Sequence, residues 1–181
     1  MSHESLNIAI IIGSTRQGRI GENVGKWVLK HAQKRDDATY ELLDVASYKL
    51  PLLGETEDTT GVEQWNNALA KYDGFVFVTA EYNHGLPGAL KNAIDSARDP
   101  WADKAAGIVS YGSAYGARAA EQLRAVLGEV RIADVRNQVL LSLFTDFENY
   151  ATFKPHAMHT QTLSDMLDQV VAWSKALKTI R

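Results

Sequence analysis

Residues 6–21 read Leu-Asn-Ile-Ala-Ile-Ile-Ile-Gly-Ser-Thr-Arg-Gln-Gly-Arg-Ile-Gly, an apolar run that passes into a glycine-rich turn. The run Leu6–Ile12 is short, rich in β-branched residues and bounded by glycine, which predicts a buried β-strand. From Glu22 to Lys30 the apolar residues recur at helical spacing, which predicts a helix directly after the turn. A strand, a glycine-rich turn and a helix N-terminus together favour an anion site, because free backbone amides and the helix dipole point at one place.

Two familiar phosphate-binding motifs are only partly matched by this turn. Residues 13–20 nearly follow the nucleoside-triphosphate loop, but Arg19 replaces its lysine and Ile20 replaces the hydroxyl that binds magnesium. The dinucleotide fingerprint also fails, because Thr15 occupies its second glycine position. Asp44 lies too far along the chain to be the acid of that fingerprint, so we interpret it as a strand-end residue. The turn therefore fits one terminal monophosphate.

Composition and charge are those of a globular protein. Of the 181 residues, 45% are hydrophobic and 23% are charged, and the net charge of −3 gives no sign of a nucleic-acid or anionic-membrane surface. The longest apolar run is too short to span a bilayer and lacks the flanks of a signal peptide, so we expect a cytoplasmic protein without membrane insertion. The chain has no cysteine, so any redox function requires a bound cofactor.

Strand and helix patterns alternate along the rest of the chain. Further strands are predicted at Tyr40–Ala46, Gly74–Ala80, Ala105–Tyr111 and Val135–Leu141, and further helices at Val62–Lys71, Pro87–Ala97, Ala117–Leu127 and Leu163–Leu177. This alternation predicts an α/β fold, a doubly wound parallel sheet with helices on both faces. Five strands with a phosphate-binding turn after the first favour the flavodoxin-like order 2-1-3-4-5. We expect residues 1–181 to form a single domain.

The loop after the third strand carries the most specific pattern in the chain. Residues 79–95 read Thr-Ala-Glu-Tyr-Asn-His-Gly-Leu-Pro-Gly-Ala-Leu-Lys-Asn-Ala-Ile-Asp. This stretch resembles the signature of the NADPH-dependent FMN reductase family, flavodoxin-like enzymes that include quinone, azo-dye and chromate reductases. Residues 13–16 resemble the phosphate loop of that family, and residues 104–112 resemble its fourth strand and third cofactor loop.

The resemblance implies FMN as the bound cofactor, NADPH or NADH as the electron donor, and a small acceptor such as a quinone, an azo compound, a metal oxyanion or free flavin. Because the flavin carries the chemistry, no catalytic side chain is expected. The residues expected to bind FMN are Ser14, Thr15, Arg16, Arg19, Ile20 and Gly21 around the phosphate, Glu81, Tyr82, Asn83 and His84 along the ribityl chain and ring edge, and Ser110, Tyr111 and Gly112 on the other side of the ring. The chain departs from many members at Ala80, where they have proline.

Several residues have a plainer alternative interpretation. Tyr82 and Tyr111 offer flat apolar surfaces to a ring system, whereas His84 could equally be a solvent-facing loop residue. His156 and His159 have a spacing that metal ligands can have, but no third ligand is evident, so we expect no metal site.

An electron carrier of the flavodoxin type is the alternative function. Such carriers are generally more acidic because they dock onto basic reductases, so the net charge of −3 favours an enzyme. The family resemblance also implies a homodimer or homotetramer. Trp101 and the aromatic segment at residues 144–153 are candidate subunit contacts, and Trp27 and Trp173 are expected in the core or an interface.

Overall fold

The structure is a computed structural model that describes residues 5–97 and 99–181. Its strands are β1 (Leu6–Ile12), β2 (Ala38–Asp44), β3 (Gly74–Ala80), β4 (Lys104–Gly112), β5 (Ile132–Ser142), β6 (Phe147–Glu148) and β7 (Thr152–Phe153). Its helices are α1 (Gly21–Ala32), α2 (Thr60–Leu69), α3 (Gly88–Asp95), α4 (Ala117–Glu129) and α5 (Met158–Leu177). Short 3-10 turns cover Val45–Tyr48, Asp99–Trp101 and Lys178–Ile180.

Strands β1 to β5 form one parallel sheet in the order β2-β1-β3-β4-β5, which confirms the predicted flavodoxin-like topology. Ile8 of β1 lies beside Tyr40 on one neighbouring strand and beside Gly74 on the other, so β1 is inside the sheet. Because all five strands run in the same direction, the loops that follow them share one edge of the sheet.

Some element bounds differ from the sequence prediction. Strand β2 ends at Asp44 rather than Ala46, because the Asp44 carboxylate accepts a hydrogen bond from the Ala46 amide at 3.0 Å and starts a 3-10 turn. Pro87 precedes α3 instead of lying in its first turn. Helix α5 begins at Met158 rather than at Leu163. The sequence predicted no element for the small antiparallel hairpin β6–β7.

Helices α2, α3 and α4 cover one face of the sheet over an aromatic core. Trp65, Trp101 and Phe75 are fully buried there. The Trp101 ring centre lies 5.0 Å from that of Phe75, and its indole nitrogen donates to the carbonyl of Ile94 at 3.0 Å. The prediction that Trp101 forms a subunit contact is therefore wrong, because the core holds the whole side chain.

Helices α1 and α5 cover the opposite face. Val24 of α1 and Met166 of α5 are fully buried in this second cluster. Trp27 lies at its margin, with its ring centre 5.8 Å from that of Phe153, while Trp173 is 50% exposed. No helix in the two described ranges is long and apolar enough to cross a membrane.

Strand β5 carries a bulge at the edge of the sheet. Ala106 of β4 pairs with Asp134, whereas Ile108 pairs with Gln138, so β5 has extra residues between these two pairs. Arg124 of α4 reaches the bulge, and its guanidinium donates to the carbonyl of Val135 at 3.0 Å and to that of Arg136 at 3.3 Å. The same guanidinium forms an ion pair with Asp134.

Candidate functional site

Three loops meet at the carboxyl edge of the sheet. They follow β1, β3 and β4 and comprise residues 13–20, 81–87 and 113–116. Ligands of open α/β sheets bind in the crevice outside this edge, where the strand order reverses. The residues predicted to bind the cofactor all lie in these loops, at the start of α1 or at the end of β4.

The loop after β1 presents unpaired backbone amides at the start of a helix. The Gly13 amide still belongs to the sheet and donates to the carbonyl of Val78 at 3.0 Å. Beyond it, no backbone hydrogen bond to a described residue is made by the amides of Ser14, Thr15, Gln17, Gly18 and Ile20. Helix α1 begins at Gly21, and the residue before it, Ile20, makes no side-chain capping hydrogen bond. Such a helix N-terminus attracts an anion, because its amide donors and the positive end of its dipole point the same way.

Ser14 and Arg16 add a hydroxyl and a guanidinium to this loop. The buried Ser14 hydroxyl lies 2.8 Å from the Tyr82 hydroxyl, which links the loops after β1 and β3. Arg16 is exposed, and its guanidinium carbon lies 5.6 Å from the centre of the Tyr82 ring. Arg16 forms no ion pair with a residue that the structure describes, so its charge is available to a ligand.

Arg19 braces the same loop against β2. Its Nη2 lies 2.5 Å from Asp44 Oδ2 and 2.8 Å from Glu22 Oε1. Its Nε is buried and has no hydrogen-bond partner within residues 5–97 and 99–181. The carboxylates therefore hold the Nη2 nitrogen, and Nε is a donor that remains for the phosphate contact predicted for Arg19.

Residues 82–85 form a tight hairpin after β3. The Tyr82 amide donates to the Gly85 carbonyl at 3.0 Å, and the Gly85 amide donates to the Tyr82 carbonyl at 3.1 Å. The two central residues, Asn83 and His84, have φ values of 49° and 69°. Positive φ at both positions defines a type I′ turn, for which asparagine is one of the favoured residues. This turn holds both side chains exposed at the crevice.

Glu81 was predicted to contact the cofactor, but its side chain is engaged with helix α4. It accepts hydrogen bonds from the Arg118 amide at 3.1 Å and from the Arg118 Nε at 2.6 Å. Burial acts to raise the pKa of Glu81, but the hydrogen bonds and charge of Arg118 outweigh it and hold the pKa below its ordinary value. Arg118 Nη1 also donates to Nε2 of His84 at 2.7 Å. Arg118 therefore fixes the loop after β3 to the start of α4, a contact with no signal in the sequence.

One residue of the loop after β4 has a backbone conformation that requires glycine. Gly116 has a φ of 71°, and a Cβ there would lie 2.6 Å from the backbone nitrogen of Tyr111. The Ser110 hydroxyl donates to the carbonyl of Tyr115 at 3.0 Å, so Ser110 supports this loop from within. The Gly112 carbonyl accepts from the amides of both Tyr115 and Leu143 at 3.1 Å. The backbone of Gly112 thus ties this loop to the segment after β5.

The side chain of Tyr111, which is expected from the sequence to flank the FMN ring, does not face the crevice. Its side chain points to the face covered by α1 and α5, is only 4% exposed, and has its ring centre 6.1 Å from that of Phe147. The Tyr111 hydroxyl is buried, and no described residue forms a hydrogen bond with it. Its ring therefore offers no flat surface to the crevice, and burial raises the pKa of its hydroxyl.

The two histidines with metal-ligand spacing, His156 and His159, both contact Asp146. Nε2 of His159 lies 3.0 Å from Oδ1 of the buried Asp146, which also accepts hydrogen bonds from the amides of Ser142 at 2.8 Å and His156 at 2.9 Å. Within residues 5–97 and 99–181, no group of three or more histidine or acidic side chains is arranged to hold a metal ion.

A cavity of about 220 Å³ adjoins the phosphate loop and is lined by Thr15, Lys49 and Asn92 among others. A larger cavity of about 510 Å³ lies at the opposite edge of the sheet, near Ala102 and Arg131. The unpaired amides and the guanidinium of Arg16 belong to the crevice between the three loops.

Comparison with known proteins identifies the family. The profile described as NADPH-dependent FMN reductase matches residues 6–146. An NAD(P)H-dependent FMN reductase of Nectria sp is 37% identical over 129 residues, which are 64% of this chain and 64% of that protein. Another, from Schizosaccharomyces pombe, is 31% identical over 170 residues, which are 88% of this chain and 84% of that protein.

The fold also resembles a solved structure. A flavoenzyme NAD(P)H:(acceptor) oxidoreductase of Paracoccus denitrificans superposes with a TM-score of 0.73 at 21% identity, over 94% of this chain and 98% of that one. The relatives are named as reductases, which favours an enzyme over an electron carrier. The chain belongs to the NADPH-dependent FMN reductase family and is an oxidoreductase that works with FMN and NAD(P)H.

Proposed function

We propose that FMN binds in the crevice between the three loops, with its phosphate at the N-terminus of α1, and that the enzyme reduces a small planar acceptor such as a quinone. The observation that carries this proposal is the start of α1, where unpaired amides coincide with the side chains of Ser14 and Arg16. The proposal includes Thr15, Ile20 and Gly21 as backbone contacts.

The donors at this place fit a phosphate dianion. Backbone amides and hydroxyls donate hydrogen bonds, and the exposed Arg16 supplies a positive charge that no described carboxylate neutralises. Two buried donors, Arg19 Nε and the Tyr111 hydroxyl, have no hydrogen-bond partner among the residues that the structure describes. Charge-assisted hydrogen bonds of this kind are about twice as strong as neutral ones.

The ring system of FMN is proposed to lie between the hairpin at residues 82–85 and the loop at residues 112–116. The hairpin is preorganised by its reciprocal hydrogen bonds, and Gly112 and Gly116 let the second loop pack closely against Glu81 and the end of β4. The charge of Glu81 is neutralised by Arg118, so no bare carboxylate adjoins the ring. When bound, FMN supplies the redox chemistry by taking two electrons from NAD(P)H and passing them to the acceptor.

A first experiment tests the cofactor and the activity together. The purified protein should release FMN, and neither FAD nor riboflavin, on acid treatment followed by chromatography. Without oxygen, NADPH or NADH should bleach the flavin absorbance, and a simple quinone should restore it over repeated turnovers. Release of FAD, or bleaching by dithionite but by neither nucleotide, would contradict the proposal.

We further propose that the chain is one domain that acts in the cytoplasm as a homodimer or homotetramer. Support for association comes from the segment after β5, where Phe144 and Tyr150 are each 63% exposed and pack edge to face at 5.8 Å. Contiguous exposed apolar surface of this kind is typical of a contact with a partner. A particle mass near 20.0 kDa in light scattering at micromolar concentration would exclude association.

A further inference from the structure

Two buried donors without partners lie around the start of α1. Among the described residues, the buried side-chain atoms that lack a hydrogen-bond partner are Arg19 Nε, Tyr111 OH and Ser174 Oγ. Arg19 belongs to the phosphate loop itself. Tyr111 reaches the loop from the end of β4, although it is remote in the chain.

The hydroxyl of Tyr111 lies directly beside the first residue of α1. A Cβ placed on Gly21 would be 2.7 Å from this hydroxyl, so the hydroxyl occupies the space that any other residue would need there. Its electrostatic neighbours are Tyr82, Arg16 and Arg19, which are the side chains that surround the phosphate loop. The hydroxyl is therefore on the core side of the proposed phosphate site.

A buried hydroxyl without a partner is unfavourable, because it has lost its hydrogen bonds to water and gained none. Native structures rarely leave such a group unpaired, and the exceptions call for an explanation. At the N-terminus of a helix, beside cationic side chains, the acceptor that suits a hydroxyl is an anionic oxygen.

We propose that the Tyr111 hydroxyl donates a hydrogen bond to the terminal phosphate of FMN from the core side of the loop, with Arg19 Nε as its companion donor. This inference rests on the proposed binding of FMN at α1 and gives Tyr111 a role at the phosphate instead of the ring. It makes Tyr111 a residue that distinguishes a flavin monophosphate from riboflavin, which ends in a neutral alcohol.

The test compares Tyr111→Phe with the wild-type protein in fluorescence titrations of the apoprotein with FMN and with riboflavin. Loss of one hydrogen bond to a charged oxygen should weaken FMN binding by about tenfold or more, and riboflavin binding should stay within about twofold. Ser174→Ala is the matched control, because it removes the third unpartnered hydroxyl, which lies beside Gly74 near the other end of β3. It should change neither affinity.

Thermal unfolding of the apoproteins gives a second readout. Tyr111→Phe and Ser174→Ala should each leave the midpoint unchanged or raise it, because each removes an unsatisfied buried group. Gly21→Ala is a second probe, since its methyl group would displace the hydroxyl. It should reproduce the loss that is selective for FMN.

The outcomes separate this inference from the proposed function. Equal weakening of FMN and riboflavin by Tyr111→Phe, or no weakening of either, would overturn the role of Tyr111 while the wild-type protein still binds FMN. A wild-type apoprotein that does not bind FMN would overturn both proposals. A selective loss of FMN affinity in Tyr111→Phe supports the inference.

Discussion

Arg16 carries the free positive charge of the phosphate loop. Replacing it with alanine should weaken FMN binding by about 1.5–3 kcal/mol, because a hydrogen bond to a charged group contributes that much. Arg131→Ala is the control, since Arg131 is also exposed but pairs with Asp103 near the opposite edge of the sheet. Fluorescence titration with FMN measures both variants. Unchanged affinity in Arg16→Ala would place the phosphate elsewhere.

Glu81 should make the stability of the protein depend on pH in a predictable direction. Its pKa in the folded state is lowered, so the stability that it contributes is present above its ordinary pKa. That contribution is lost as the pH falls through the lowered pKa, where the carboxylate becomes protonated and its bonds to Arg118 weaken. We expect unfolding free energies of wild type and Glu81→Gln to differ at neutral pH and to converge in acid.

Urea unfolding at a series of pH values measures this convergence. Glu63→Gln is a suitable control, because Glu63 is exposed and its described contact is with Thr59. If the difference between wild type and Glu81→Gln stays constant into acid, the ionised carboxylate contributes nothing to the contact with Arg118.

The connection between β5 and α5 is an element held together by one acid. Asp146 is 1% exposed and accepts hydrogen bonds from the amides of Ser142 and His156, and it also pairs with His159. Asp146→Ala should lower the free energy of unfolding by at least about 1–3 kcal/mol, because a buried amide loses its acceptor. Lys154→Ala breaks an exposed pair in the same segment and should change the free energy of unfolding much less. Equal effects would refute the central role of Asp146.

Across the whole molecule, two tryptophans report on how the layers pack. Trp101 is fully buried between the sheet and its helices, whereas Trp173 is half exposed on α5. Trp101→Ala should destabilise the fold by about 3–5 kcal/mol through lost burial and a cavity. Trp173→Ala should cost less than about 1 kcal/mol in the monomer. Denaturant unfolding compares them, and a similar loss from both would contradict the packing described here.

The topology was predictable because it depends on features that repeat along the chain. Alternating strand and helix patterns imply a parallel sheet, and the turn after Ile12 marks the first strand of the crevice. Trp101 could not be placed, because a 3-10 turn of three residues shows no periodicity. The hairpin β6–β7 could not be predicted for the same reason, since each of its strands has two residues.

The loops of the candidate site were predictable, but several side-chain orientations were not. Strand β4 is buried on both faces, so alternation along it gives no sign of which face receives Tyr111. The contact of Glu81 with Arg118 and that of Arg19 with Asp44 join residues that are distant in sequence. Such pairs follow from the packing of loops, and residue spacing does not reveal them.

The bulge in β5 also limits how copies of the molecule can associate. An exposed edge strand can add a strand from another chain, because its free carbonyls and amides form a template. Here the guanidinium of Arg124 donates hydrogen bonds to the carbonyls of Val135 and Arg136. The bulge also interrupts the regular spacing of backbone hydrogen-bonding groups along β5. The bulged stretch of β5 is therefore a poorer template for continuous β-sheet growth, as in fibrous aggregates, than a regular edge strand would be.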